Sequence, residues 1–124
     1  MTSPRLYGPF QLNEKGLDSN LQSKSPGVYA LGTTKNNLFI VRYVGRADAD
    51  LKSGLKPHIS GPYAQFKFTY ALSPRDAFLK QCELYHDYVG LDNKRHPSPP
   101  RGVDLVCPRC QVTGGSDRVL RTSR

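Results

Sequence analysis

The stretch Gly27-Val28-Tyr29-Ala30-Leu31-Gly32-Thr33-Thr34-Lys35-Asn36-Asn37-Leu38-Phe39-Ile40-Val41-Arg42-Tyr43-Val44-Gly45 decides the fold. Two runs rich in β-branched and aromatic side chains flank a polar segment, Thr33 to Asn37, with turn chemistry. The pattern predicts a β-hairpin that holds Tyr29 and Tyr43 near each other. In the second run Phe39, Val41 and Tyr43 alternate with Ile40, Arg42 and Val44. Both sets are largely apolar, so this strand is expected to be central and covered on both faces.

Downstream, residues 48–59 read as a short helix. Early aspartates (Asp48, Asp50) suit its N-terminus, and Leu51, Leu55 and Ile59 share one face. Gly54 weakens it and Pro57 ends or kinks it. Gln65 to Leu72 alternates cleanly as a third strand. Ser73-Pro74-Arg75-Asp76 then opens a second helix, with Ser73 as N-cap, running to about Tyr88. Phe78, Cys82 and Tyr85 fall on its core-facing side; Glu83, His86 and Asp87 fall on a polar one. Upstream, residues 1–26 are rich in Pro, Gly, Ser and Asn, with Tyr7 to Leu12 as a short edge strand. The order predicts an α+β fold: a small, mainly antiparallel three-stranded sheet flanked by helices. The organisation expected is an N-terminal extension (1–25), the domain (26–97) and an irregular basic C-terminal tail (98–124).

A chain of 124 residues supports one small domain. No apolar run approaches the ~18 residues of a membrane helix, and the N-terminus lacks the pattern of a secretory signal. Together with only three cysteines, this points to a cytoplasmic, intracellular protein. Net charge is +8. Residues 1–93 carry 11 Lys and Arg against 8 Asp and Glu, whereas residues 94–124 carry 7 against 2. The last quarter therefore holds most of the excess, a distribution that suits either a solubilising tail or a polyanionic partner such as DNA.

The two aromatic-glycine tripeptides, Gly27-Val28-Tyr29 and Tyr43-Val44-Gly45, followed by a helix and then a helix bearing Glu83, resemble the GIY-YIG endonuclease superfamily, in particular its small stand-alone bacterial members. The resemblance spans roughly residues 26–97. It implies a divalent-metal-dependent endonuclease that hydrolyses DNA phosphodiester bonds. Tyr29 and Tyr43 would line the site and act on the attacking water, and His58 would assist proton transfer or hold phosphate. Glu83 would bind one Mg²⁺ or Mn²⁺. Arg46, Lys52, Lys56, Asn93 and His96 would contact nucleic acid. The family places an arginine four residues before the position of His58, and here that position is Gly54. Losing one such donor typically costs on the order of 10²–10³ in rate. Arg46, directly after the second tripeptide, is the best substitute. The alternative is a catalytically inactive nucleic-acid-binding module of the same fold.

Each of these residues also has an ordinary reading. Tyr29 and Tyr43 suit a core, and Glu83 suits a solvated helix flank. His86 is either a further ligand or a surface residue. Asn93 and His96 suit a turn. Cys107-Pro108-Arg109-Cys110 has the spacing of half a zinc knuckle. A closed zinc site needs four ligands, and no second such pair exists, so a free thiol pair is the expectation. Cys82 is expected to face the core. A zinc-stabilised interaction protein built on Cys107 and Cys110 is the third reading.

Overall fold

The computed structural model describes residues 4–88, 90–100, 102 and 105–109. The hairpin forms as expected: β2 (Gly27–Lys35) pairs antiparallel with β3 (Leu38–Ala47). Asn36 and Asn37 make the turn with φ of 53° and 65°. Asparagine tolerates this left-handed region, and a two-residue turn of that hand matches the twist of the strands it joins.

The sheet has four strands, not three. β4 (Gln65–Tyr70) pairs with the other side of β2, and β1 (Tyr7–Gln11) pairs with β4, giving the order β1-β4-β2-β3, antiparallel throughout. The extra strand comes from the segment expected to be an extension. Pro9, which has no N–H to donate, sits in the edge strand β1. Next comes α1 (Glu14–Asn20), a helix the sequence pattern does not announce. Asn13 caps it, its Oδ1 accepting from the Gly16 N–H at 2.7 Å. Leu12, Leu17 and Leu21 are buried against Leu31 and Phe66, so residues 12–21 belong to the core.

The helix expected over 48–59 is shorter. α2 (Leu51–Leu55), capped by Asp50, tightens into a 3₁₀ turn over Lys56–His58 where Pro57 removes an N–H. α3 (Pro74–Asp87) starts at Ser73, whose Oγ accepts from the Asp76 N–H at 3.0 Å. Asp76 reaches back to the Leu72 N–H at 2.8 Å, a variant of the expected capping box. Among the described residues no helix is long and apolar enough to cross a membrane.

Helices cover both sheet faces. Tyr29, Leu31, Phe66 and Phe68 pack with residues of α1 and α2. Val28, Ala30, Val41 and Val44 pack with Ala77 and Leu84 of α3. A third cluster joins Phe78 and Cys82 of α3 to Leu105 and Cys107.

β3 is an edge strand, not the central one; β2, buried from Gly27 to Gly32, is interior. The apolar look of β3 on both sides has two sources. Its tip exposes Leu38 and Ile40. In its middle, Leu31 pairs with Tyr43 and Gly32 with Val41, leaving Arg42 as the extra residue of a bulge. One inserted residue reverses the facing of the side chains beyond it. Phe39 and Val41 therefore pack on the α3 side while Tyr43 joins Tyr29 on the other.

Tyr29 lies over Gly45, its cross-strand partner. A Cβ at Gly45 would fall 2.4 Å from Tyr29 Cζ and 2.5 Å from its hydroxyl oxygen. Gly45→Ala is expected to push this ring out of place and to destabilise the domain by about 1–3 kcal/mol. Thermal unfolding checks this, and a variant melting with the wild type would show that the ring has another place to go.

Candidate functional site

The sheet and α2 bring Tyr29, Tyr43 and His58 together. Tyr29 Oη lies 3.1 Å from His58 Nε2, and the His58 ring centroid is 5.3 Å from that of Tyr43. Tyr29 is almost fully buried, and that burial, with Tyr43 nearby, pushes its phenol well above the usual range. Burial likewise pulls the His58 imidazole below its ordinary 6.5. At neutral pH the hydroxyl therefore keeps its proton and faces a neutral imidazole at hydrogen-bond distance. Tyr63, which no motif singles out, stands 6.0 Å from Tyr43 ring to ring and donates to Asp92 at 2.7 Å. Burial first, then that bond, pushes its pKa up to about 12. The only cue in the sequence was its place in a Gly-Pro-rich loop before β4.

Beside the tyrosines is an open, polar cleft of about 220 Å³ lined by Tyr29, Tyr43, Gly45, Arg46, Gln81 and Ser98. Arg46 crosses it. Nε donates to Asp48 Oδ1 at 2.7 Å, Nη1 to Gln81 Oε1 at 2.9 Å and to the Ser98 carbonyl, and Nη2 weakly to Asp48 Oδ2. The guanidinium also sits over the Phe78 ring at 5.6 Å. A guanidinium has five N–H donors, and among the described residues four of them are engaged here.

Glu83 is not in this cleft. Two residues beyond Gln81, it projects roughly 200° around the helix. It is 3 % exposed, and its Oε1 accepts from Arg109 at 3.0 Å, while Arg109 also holds Asp87 at 2.9 Å. Its Oε2 is buried without a hydrogen bond among the described residues. Glu83 thus ties the start of the tail to α3, and Gln81 is the α3 side chain that meets the tyrosines. Only a helix phase one step finer than the sequence supplied separates the two.

Gly54, where the resemblance places an arginine, packs against β3. A Cβ there would come within 2.8 Å of the Ala47 Cβ. Lys52 pairs with Asp18 at 2.8 Å, and Lys56 is exposed on the 3₁₀ turn. Asn93 turns its amide to the open edge of β3, accepting from the Val44 N–H at 2.9 Å and donating to the Val44 carbonyl at 2.8 Å. Asp92 adds a backbone bond to the Arg42 carbonyl. Residues 92–93 therefore close part of an edge that would otherwise leave donors and acceptors unpaired. His96 lies with Cys82 and Cys107 and is not among the residues lining the cleft. Cys110 lies outside the described residues.

Comparison of the chain with protein-family models, with curated proteins and with solved structures finds no match.

Two of these contacts can be measured through stability. His58 is held neutral, so the unfolded chain binds more protons than the folded one as pH drops. The stability this contributes is present above the unfolded value of 6.5 and is lost as pH falls below it. Between about pH 7.5 and about pH 5.5 the wild type should lose more melting temperature than His58→Gln. Equal losses would place His58 in an environment no drier than water. Asn93→Ala leaves two backbone groups of Val44 unpaired at a part-buried edge, and a loss of about 1–3 kcal/mol is expected in denaturant unfolding.

Proposed function

We propose that this chain is a nucleic-acid-binding module on a GIY-YIG-like fold, which holds the phosphodiester backbone at the Tyr29–Tyr43–Arg46 cleft without hydrolysing it. The observation that carries this reading is the lining of the cleft. Among the described residues it offers two phenols, one guanidinium, one amide and no carboxylate. A hard divalent cation needs anionic oxygen ligands, and a neutral amide oxygen is a poor replacement. The glutamate expected to hold Mg²⁺ or Mn²⁺ instead faces Arg109. The arginine expected at a scissile phosphate is Gly54, in a space too tight for a side chain without a shift of Ala47.

What supports binding is the retained half of the site. Both tripeptide tyrosines and His58 meet on one side of the sheet. The Tyr43 hydroxyl, the Gln81 amide N–H and the Arg46 guanidinium line the cleft and are donors suited to phosphate oxygens. The net charge of +8 raises the local concentration of a polyanion. Donors alone can grip a phosphate, whereas polarising it for attack through a metal calls for the anionic ligand this lining does not provide.

The hydrolytic reading differs from this one in a single measurable respect. The full chain should bind labelled DNA with salt-dependent affinity and cleave neither plasmid nor branched DNA in Mg²⁺ or Mn²⁺. Arg46→Gln should weaken binding and lower the salt slope by about one. Metal-dependent cleavage that disappears in Tyr43→Phe or Glu83→Gln would replace this proposal with the nuclease. DNA affinity unchanged in Arg46→Gln would move the binding surface away from the cleft.

A further inference from the structure

We propose that Cys82, His96 and Cys107 form a binding site for a transition-metal ion, zinc by the chemistry of its donors. Two thiol sulfurs and one imidazole nitrogen, from three separated places in the chain, lie within 4.8 Å of one another. Cys82 comes from the middle of α3, His96 from the turn after it, and Cys107 from the start of the basic tail. A tetrahedral zinc with Zn–S of about 2.3 Å and Zn–N of about 2.0 Å sets its ligand atoms roughly 3.3–3.8 Å apart. The three groups need close by only about an ångström around an ion. Soft thiolates with imidazole select zinc over the hard cations that carboxylate sites take.

Three further contacts shape this cluster as a metal site. His96 Nδ1 lies 2.9 Å from the Pro97 carbonyl, which accepts the proton and leaves Nε2 with its lone pair. A backbone carbonyl on the far nitrogen is the usual way a ligating imidazole is oriented. The Arg109 N–H donates to Cys107 Sγ at 3.4 Å. That bond, from the residue two positions on, fixes the position of the sulfur. The Arg109 side chain meanwhile grips Glu83 and Asp87 on α3, and so holds the segment against the helix that carries Cys82.

Leu105 and Cys107 are also buried against Phe78 and Cys82, with Leu79 packed beside them. A metal bridge would add to these apolar contacts and to the Arg109 ion pairs in tying residues 105–109 to α3. His86 Nε2 lies 3.2 Å from His96 Nε2, at the border of the cluster. The sequence offers Cys110 at knuckle spacing from Cys107; it lies outside the described residues, and the proposal stands on the other three.

The test uses the full chain, purified reduced, loaded with Zn²⁺ and freed of excess. Elemental analysis should find about one zinc per chain. Exchange for Co²⁺ should give the visible bands of a tetrahedral ion together with a thiolate-to-cobalt charge-transfer band. Cys82→Ser and His96→Ala should each lower zinc affinity by at least about tenfold. Should the variant of buried Cys82 fail to fold, half-buried His96 gives a second, independent reading. Fewer than about one zinc per ten wild-type chains, or a cobalt spectrum without thiolate bands, would overturn the proposal. So would full affinity in a folded Cys82→Ser or His96→Ala chain, which would leave binding to the Cys107–Cys110 pair alone.

Discussion

The contact on which the structure depends is the ring of Tyr29 over the bare backbone of Gly45. It fills the space a side chain would need, as the 2.4 Å approach to an added Cβ shows. This seats the ring between two walls. One is β3; the other is α2, where a Cβ added at Gly54 would lie 3.9 Å from the ring. The hydroxyl then meets His58, at the end of α2's continuation. One glycine thereby fixes the spacing between the sheet and its short helix, and a second keeps that helix close. Larger residues at either position would force helix and sheet apart, and a packed interior has little slack for that.

The arginine bulge acts with this contact. Tyr29 reaches the α2 face by ordinary strand alternation. Tyr43 gets there only because Arg42 is an extra residue in β3. The same insertion leaves Val41 and Val44 facing α3, so both faces of the sheet stay apolar where helices cover them. Arg42 does not waste its position: its side chain pairs with Asp92 at 2.9 Å and its carbonyl accepts from the Asp92 N–H. The bulge thus places a tyrosine inside and recruits the chain after α3 to cover the outside edge.

The bulge also marks how far the sequence could be read. Strong local signals came through: the Asn36–Asn37 turn, the alternation of β4 and the Ser73 cap of α3 all depend on neighbours within four residues. What was not legible depends on distant partners. The short edge strand at Tyr7 was expected, but not that it joins the main sheet through β4; α1 is short and polar, and only Phe66 and Leu31 across the sheet make Leu12 and Leu17 core residues. Strand order cannot be read from the apolar character of β3, since burial by helices and burial between strands look alike in one dimension. A bulge has no signature in an unbroken run such as Leu38 to Val44. Glu83 was chosen for the site because it is a carboxylate on the right helix. The resemblance alone put it there; the structure lines the cleft with Gln81, a residue whose neutrality made it easy to pass over. Cys82 was correctly expected to face inward, but what it faces is set by the tail.

The cleft and the thiol–imidazole cluster are neighbours along the chain, so the two sites share their supports. Gln81, which orients Arg46, directly precedes Cys82. Ser98, whose carbonyl accepts from Arg46, lies two residues beyond His96. The outer wall of the cleft is therefore carried on the two segments that the cluster ties together. If those segments separated, Arg46 would lose two of its acceptors while keeping Asp48. Its guanidinium would then swing toward that carboxylate and away from any phosphate in the cleft. A metal that fixes Cys82 to His96 would hold Arg46 across the cleft. Its role would be structural, setting the geometry of the cleft wall.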